Sequence, residues 1–359
     1  MRVRARARLY AVLAAAAFAL SACARDDFPQ NTLAPQGPQA EKIDRLFQPV
    51  FWIAVAVFFL VEGAMVYFLV RYRHRPGRGV PAQVHGNKRL EVTWTVIPAV
   101  LLAVIAVPTL WTIFALAEKP ANALEITVTG HQWWWEVRYP AQASKGVAKE
   151  MVTANEVHIP TGIPVYISLM SGPSGAAGGP VIHSFWIPRL AGKQDVVPGR
   201  TNHLTIEAPN PGTYLGQCAE FCGISHANMR LRLVAQPPSE FEAWVQQQAQ
   251  PAAQPPPDVL AIMDRVGCGG CHTINGVKGQ GGVPYAGIVG PDLSHFADRS
   301  TFAGAILDIT PANLADWLRD PQAVKPGNDM TIGPGGQPGR SVLSEDEINA
   351  LVQYLGSLR

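Results

Sequence analysis

Two long apolar segments, residues 49–70 and 96–117, set the first limit on what this chain can fold into. Each is long enough to cross the ~30 Å hydrocarbon layer of a bilayer as an α-helix, the one open-chain structure that pairs all its backbone polar groups in lipid. The loop between them carries Arg71, Arg73, Arg75, Arg78, Lys88 and Arg89. Positive loops stay cytoplasmic, so the N-terminus and everything after residue 118 are expected on the outer side. Glu62 is the one acidic side chain in the first segment and is expected to face a protein partner or to be protonated. Neither segment contains a histidine.

The leader independently requires an outer N-terminus. Arg2, Arg4, Arg6 and Arg8 precede an apolar run and then Ser21-Ala22-Cys23, a basic n-region, an h-region and a small-residue cleavage site. This resembles a bacterial lipoprotein signal over residues 1–22, which implies lipidation of Cys23; an uncleaved anchor is the alternative, but the apolar run is shorter than the ~20 residues a span needs. The expected location is the bacterial cytoplasmic (inner) membrane, multi-pass, with the later domains on the periplasmic side. A formal net charge of +2 over 359 residues offers no basic footprint for nucleic acid.

After the hairpin region (23–118), residues 119–235 change to period two. Leu124, Ile126 and Val128, then Val165, Ile167 and Leu169, then Met229, Leu231 and Leu233 alternate with polar neighbours. Short strands broken by Gly and Pro predict a β-sandwich or barrel. Residues 236–257 hold a short helix, with a capping box from Ser239 to Glu242, and the run Pro251-Ala-Ala-Gln-Pro255-Pro-Pro257, expected to be an extended, semi-rigid linker. Residues 258–359 form a helical unit with glycine-rich loops, in which Thr310-Pro311 opens one helix and Ser344 to Glu347 caps the last. This unit has eleven acidic against seven basic side chains. That balance fits either an acidic face for a basic partner or an ordinary solvated surface.

The chemistry sits in two ligand sets. Cys218-Ala-Glu-Phe-Cys222-Gly-Ile-Ser-His226-Ala-Asn-Met229 puts two thiols, an imidazole and a thioether on one loop. Soft sulfur ligands select copper over magnesium, calcium or manganese; zinc competes for Cys and His but seldom takes a thioether. A further imidazole is available at His183. Cys268-Gly-Gly-Cys271-His272 is the covalent haem-attachment pattern, with His272 placed as one axial ligand. Met330 is the sole methionine downstream and His295 the sole downstream histidine. Met330 is the expected sixth ligand, because a Met/His pair raises the potential of the iron. With Cys23, these motifs use all five cysteines and leave none for a disulfide.

The segments His183-Ser-Phe-Trp-Ile-Pro188, Asp195-Val-Val-Pro-Gly-Arg200, Pro211 through Met229, and Gly130-His-Gln-Trp133-Trp134-Trp135 resemble cytochrome c oxidase subunit II, which commonly has tyrosine between the two tryptophans. The likeness runs from the hairpin to about residue 235. The Met330 loop and Gly290-Pro291-Asp-Leu293 resemble class I cytochromes c, and the fusion resembles subunit II of bacterial oxidases with a tethered cytochrome c.

The resemblance implies a multidomain fold: a two-helix transmembrane hairpin, a cupredoxin-like β-sandwich and an all-α cytochrome c domain. It implies a binuclear copper centre, CuA, bridged by Cys218 and Cys222, with His183 and Met229 on one ion and His226 and the Glu220 carbonyl on the other. It implies one covalent haem c on Cys268, Cys271, His272 and Met330, with the Pro291 carbonyl orienting His272. The Glu220 side chain would join a magnesium site shared with subunit I, the alternative being a carbonyl role alone. Glu91 matches the mouth of a proton path, the alternative being a plain membrane-surface charge. Trp133 matches the tryptophan through which electrons arrive, the alternatives being an interfacial aromatic belt or sandwich core; on a strand, Trp133 and Trp135 would share a face.

The implied activity is that of cytochrome c oxidase. Electrons from an external donor, such as a cytochrome c or a quinol–cytochrome c reductase, would pass through haem c and CuA to haem a of subunit I. Dioxygen would be reduced there with proton translocation. Subunit I and other oxidase subunits are the implied partners, since the histidine-free hairpin cannot build an oxygen site. A membrane-tethered carrier with diverse acceptors and a copper-delivery lipoprotein are the other classes considered.

Overall fold

Proline and local acid–base pairs, as well as apolar length, decide where the membrane helices start. The computed structural model describes residues 28–74, 76–77, 79–80, 83–173, 179–332 and 342–359; the leader and Cys23 lie outside these. Helix α1 spans Pro38–Arg71 and α2 spans Lys88–Ala117, each beginning well before its apolar run. In α1, Pro38 supplies the first turn and the polar extension carries Arg45–Glu41 and Gln48–Asp44 contacts at i,i+4. Asn87 caps α2 by accepting from the N–H groups of Arg89 and Leu90, while Glu91 accepts from the Asn87 N–H. The apolar windows have mean hydropathy 2.4 and bury nothing within the chain, so their faces are left for lipid or other subunits. The protein is a membrane protein.

The β-domain is two five-stranded sheets packed face to face. Strands β1 (Leu124–His131), β2 (Trp134–Tyr139), β3 (Met151–Ala154), β5 (Val165–Ser171) and β8 (Asn202–Ile206) form one sheet in the order β3-β2-β1-β5-β8. Strands β4 (Glu156–Pro160), β6 (His183–Trp186), β7 (Gln194–Val196), β9 (Gly212–Cys218) and β10 (Arg230–Gln236) form the other in the order β4-β10-β9-β6-β7. The pairs β1–β5 and β4–β10 are parallel and the rest antiparallel. The alternating apolar residues read from the sequence fill the space between the sheets, with Val128, Val165, Ile167, Leu169 and Leu233 fully buried.

The tryptophan run corrects the strand argument. Trp133 lies in the turn between β1 and β2, so alternation does not govern it, and all three rings are buried, which removes the interfacial belt. Helix α3 (Pro238–Gln248) also differs: Pro237 occupies the cap with no side-chain cap, so Ser239 lies inside the first turn. Proline's fixed φ starts this helix without a hydroxyl. Phe241, Trp244 and Val245 of α3 are buried, and Trp244 stacks on His158 at 4.3 Å.

The C-terminal unit contains α4 (Pro257–Val266), α5 (Cys268–Cys271), α6 (Pro311–Arg319), α7 (Pro321–Val324) and α8 (Glu345–Leu355). Two short ribbons are added to this helical frame, β11 (Thr273–Lys278) with β12 (Pro284–Ala286) and β13 (Thr301–Phe302) with β14 (Leu307–Asp308). Thr310 caps α6 and Ser344 with Glu347 closes a capping box on α8. The proline-rich segment is not a free spacer. The Ala252 N–H donates to the Asn275 carbonyl, the Tyr354 hydroxyl to the Ala253 carbonyl, and the Gln254 amide to the Gly276 carbonyl. A proline run makes no internal backbone hydrogen bonds, and the C-terminal unit supplies partners for one N–H, one carbonyl and one side-chain amide of this segment.

This unit packs directly on the β-domain. The Arg230 N–H donates to the Gly304 carbonyl, the Ser225 hydroxyl to the Pro326 carbonyl, and the Lys325 ammonium to the Trp133 carbonyl.

The two sheets are also joined by one phenol. The Tyr139 hydroxyl, on β2, donates to the His158 carbonyl at 2.9 Å and accepts from the His158 N–H at 2.7 Å. Burial pushes its pKa well up, so the proton stays on oxygen. Tyr139→Phe leaves both groups of the edge strand β4 unpaired in a dry site. Denaturant unfolding followed by tryptophan fluorescence is expected to show a loss of about 1–3 kcal/mol.

Candidate metal centre and haem cleft

Strand pairing brings the sulfur and nitrogen ligands together. β6 runs beside β9 with Phe185 opposite Cys218, which sets His183, two residues earlier, near the loop that leaves β9. The 3-10 turn His226–Asn228 then returns the chain to β10, and the Met229 carbonyl accepts from the Cys218 N–H. The result is a compact donor set. Cys218 Sγ lies 3.8 Å from Cys222 Sγ, 3.9 Å from His183 Nδ1 and 3.2 Å from the Glu220 carbonyl oxygen. Cys222 Sγ lies 3.6 Å from His226 Nδ1 and 3.8 Å from Met229 Sδ.

His183, Cys218 and Cys222 form the cluster of metal-ligating groups found among the described residues, and all three are buried. Two sulfurs side by side, each with its own imidazole, make a soft donor set that fits copper. The Cys222 thiol holds the Cys218 sulfur as a thiolate well below the ordinary thiol range, with His183 adding to the effect, and that thiolate in turn pushes Cys222 up. A cation is the natural means of releasing the second proton.

Two glycines make room for this set. A Cβ on Gly130 would stand 2.8 Å from the His183 ring, and one on Gly223 would stand 2.9 Å from both the Gln132 amide and the Trp133 ring. Gly223 also has φ +121°, a backbone conformation closed to most side chains. Through this gap Trp133 Nε1 donates to the Cys222 carbonyl at 3.1 Å, as does Gln132 Nε2 at 2.6 Å.

The second site is a cleft lined by Cys268, Cys271, His272, Leu293, Phe296, Phe302, Trp317 and Met330, and on its far side by Trp133 and Trp134 of the β-domain. His272 Nδ1 lies 2.7 Å from the Pro291 carbonyl, which orients the ring, while burial pulls its pKa down. A Cβ on Gly290 would lie 2.5 Å from the His272 ring, which explains the glycine before Pro291. Two thiols, a fixed imidazole and a thioether around an apolar slot fit a covalent haem.

His295 is turned away from the cleft. Its Nε2 meets the Gln250 carbonyl at 3.1 Å, so this histidine holds the segment that joins the units. Met330 lines the cleft, and its sulfur accepts from Trp317 Nε1 at 2.9 Å. Glu91 stands apart, at the start of α2, where it closes the cap with Asn87.

Sequence reasoning missed several residues of the site. Trp317 carries no motif. Lys325 is 3% exposed and donates from Nζ to the Ala303 carbonyl at 2.9 Å as well as to Trp133. Burial pushes its ammonium down to about 7, with the Cys222 sulfur acting in the opposite sense. A lone lysine before Pro-Gly gives no sign that it is buried; only the packing of the two units reveals it.

A membrane hairpin that carries a copper-type sulfur loop on a β-sandwich and a covalent haem pocket defines a membrane-anchored redox subunit. Family models match residues 30–112 as the transmembrane domain of cytochrome c oxidase subunit II, 124–236 as its periplasmic domain, and 261–359 as cytochrome c. Cytochrome c oxidase subunit 2 of Alkalihalophilus pseudofirmus is 36% identical over 348 residues, covering 92% of this chain and 91% of the relative. The corresponding proteins of Bacillus sp. strain PS3 and Bacillus subtilis are 35% and 32% identical over 80% and 98% of this chain, and over the same shares of their own.

The chain belongs to the cytochrome c oxidase subunit II family. It is a subunit of the oxidase complex with a cytochrome c domain, and its two outer domains are those of a copper and a haem c protein.

The crowding at Gly130 gives a direct test of the donor set. In Gly130→Ala the added methyl displaces the His183 ring, so the purified protein is expected to lose copper to a chelator faster than the wild type. Metal analysis over time, with the haem spectrum as a folding control, reads this outcome.

Proposed function

We propose that this subunit is an electron relay of a haem–copper oxidase, accepting electrons at the haem cleft and passing them to the sulfur loop for delivery to haem a of subunit I. Bound haem c and the binuclear CuA pair would each supply a one-electron centre that changes little in geometry on transfer. The chain's residues set up the rest. Cys218, Cys222, His183, His226, Met229 and the Glu220 carbonyl, drawn together on one loop and its neighbouring strand, would hold the copper. Cys268 and Cys271 would attach the haem covalently, and His272 and Met330, which line the same cleft, would be its iron ligands.

The observation that carries this reading is the position of Trp133. Its indole lines the haem cleft and donates to the Cys222 carbonyl, so one aromatic ring bridges the two ligand sets. Lys325 fastens the Met330 loop to the backbone of the same tryptophan. Trp133 therefore serves the tethered haem as the point where electrons reach the copper loop.

The remaining assignments follow the family. The external donor is a cytochrome c or a quinol–cytochrome c reductase; oxygen is reduced in subunit I with proton translocation. The Glu220 side chain contributes to a magnesium site shared with that subunit, and Glu91 serves a proton path from the cytoplasmic end of α2. Cys23 carries lipid, and the CuA and haem domains face the periplasm from the bacterial inner membrane.

Metal analysis and an absorption spectrum test the relay. The expected result is one covalent haem and two coppers per chain with a broad near-infrared copper band; zinc in place of copper would refute the centre. In Trp133→Leu, haem-to-copper transfer is expected to slow while both spectra stay unchanged, as measured by pulse reduction of the haem in the intact oxidase.

A further inference from the structure

Glu156 is a carboxylate only 1% exposed, at the first position of β4, and its hydrogen-bond donors come from the C-terminal unit. One oxygen accepts from the N–H groups of Ser300 at 2.7 Å and Thr301 at 3.1 Å, from the Thr301 hydroxyl at 3.3 Å, and from the Ser300 hydroxyl. The other oxygen faces His158 Nε2 at 3.7 Å. The gripped segment is part of the haem cleft itself, since Arg299, Thr301 and Phe302 all line it.

Arg299 extends the connection. Its Nε donates to Thr153 Oγ1 on β3 at 3.2 Å, and its Nη2 donates to the Asp292 carbonyl, one residue beyond the Pro291 that orients His272. A stretch of three residues thus ties the cleft wall and the proximal-histidine loop to the β-domain.

A buried carboxylate is an expensive means of adhesion. Desolvating it is unfavourable, and an apolar contact of equal volume would hold two surfaces together as well or better. What the carboxylate adds is direction, because a backbone N–H donates well only over a narrow range of angles. Burial pushes the Glu156 carboxyl up, but the nearby His158 imidazole and the hydrogen bonds from Ser300 outweigh this and the net displacement is downward. The outer contacts, Arg232 to Ser300 and Asp308 and Gln247 to Asp298, are solvent-exposed and contribute little.

We propose that Glu156 is a positioning residue for internal electron transfer: its grip on residues 299–301 holds the haem cleft in one register against Trp133 and the copper loop. The inference rests on the relay described above.

The test is pulse reduction of the haem in the intact oxidase, comparing wild type, Glu156→Gln and Glu156→Leu at several solvent viscosities. Wild type is expected to transfer to copper in one fast phase independent of viscosity; if it transfers nothing, the relay itself fails. In Glu156→Leu the docked population is expected to fall on the order of tenfold or more. A slow phase that lengthens with viscosity should then appear, with the haem and near-infrared bands and both midpoint potentials unchanged. Glu156→Gln, which keeps an acceptor oxygen, should retain a major fast phase. Viscosity-independent wild-type kinetics in Glu156→Leu would overturn the proposal. Should that variant fail to assemble, Ser300→Ala carries the test from the other surface: a partial slow, viscosity-dependent phase is expected, and wild-type kinetics would overturn the proposal equally.

Discussion

The pairing of β6 with β9 is the constraint on which the metal centre depends. Placing Phe185 opposite Cys218 carries His183 toward sulfurs that lie 35 residues further along the chain. Register in a sheet is a two-state matter, because a slip of one residue turns every side chain to the other face. Here such a slip would take Phe185 out of the core and His183 away from the cysteines together. Core packing and ligand geometry are therefore one property of these strands, and the small residues around them, Gly130 and Gly223, keep the space that the register creates.

The second level of organisation is the contact between the outer domains. Its central groups are polar and buried: Glu156 beneath Ser300 and Thr301, Arg299 between Thr153 and Asp292, and Lys325 on the Trp133 carbonyl. Each has at least one partner on the opposite unit, and removing it would strand part of a charge or a donor in a dry place. Such an interface selects one arrangement sharply, even where its net adhesion is modest.

The sequence disclosed local and periodic features well. The hairpin followed from apolar length and loop charge, the sandwich from period-two runs such as Leu124, Ile126 and Val128, and the haem unit from Cys268 to His272. It disclosed poorly what depends on contacts between distant segments. The turn that places Trp133 is not legible in the sequence, because three consecutive tryptophans mark no strand boundary. Ser239 fits a capping pattern, yet the cap is Pro237 and the helix starts at Pro238. Glu156 and Lys325 look like ordinary charges in the sequence, and only the docking of one domain on the other makes them buried. Chain order does not reveal that His295 meets the Gln250 carbonyl while Met330 lines the cleft; that difference comes from packing.

The hydrogen bonds that hold Ala252, Ala253 and Gln254 to the C-terminal unit bear on how a relay of the proposed kind would respond to its surroundings. A short tether makes the encounter of its two ends unimolecular, at an effective concentration on the order of millimolar even before any specific contact. Counterions then act on the arrival of a diffusing donor, whose charges lie in solvent, and hardly at all on the internal step. Ionic strength thereby becomes a means of separating the two: it governs how often the subunit is loaded, and leaves untouched how quickly it unloads.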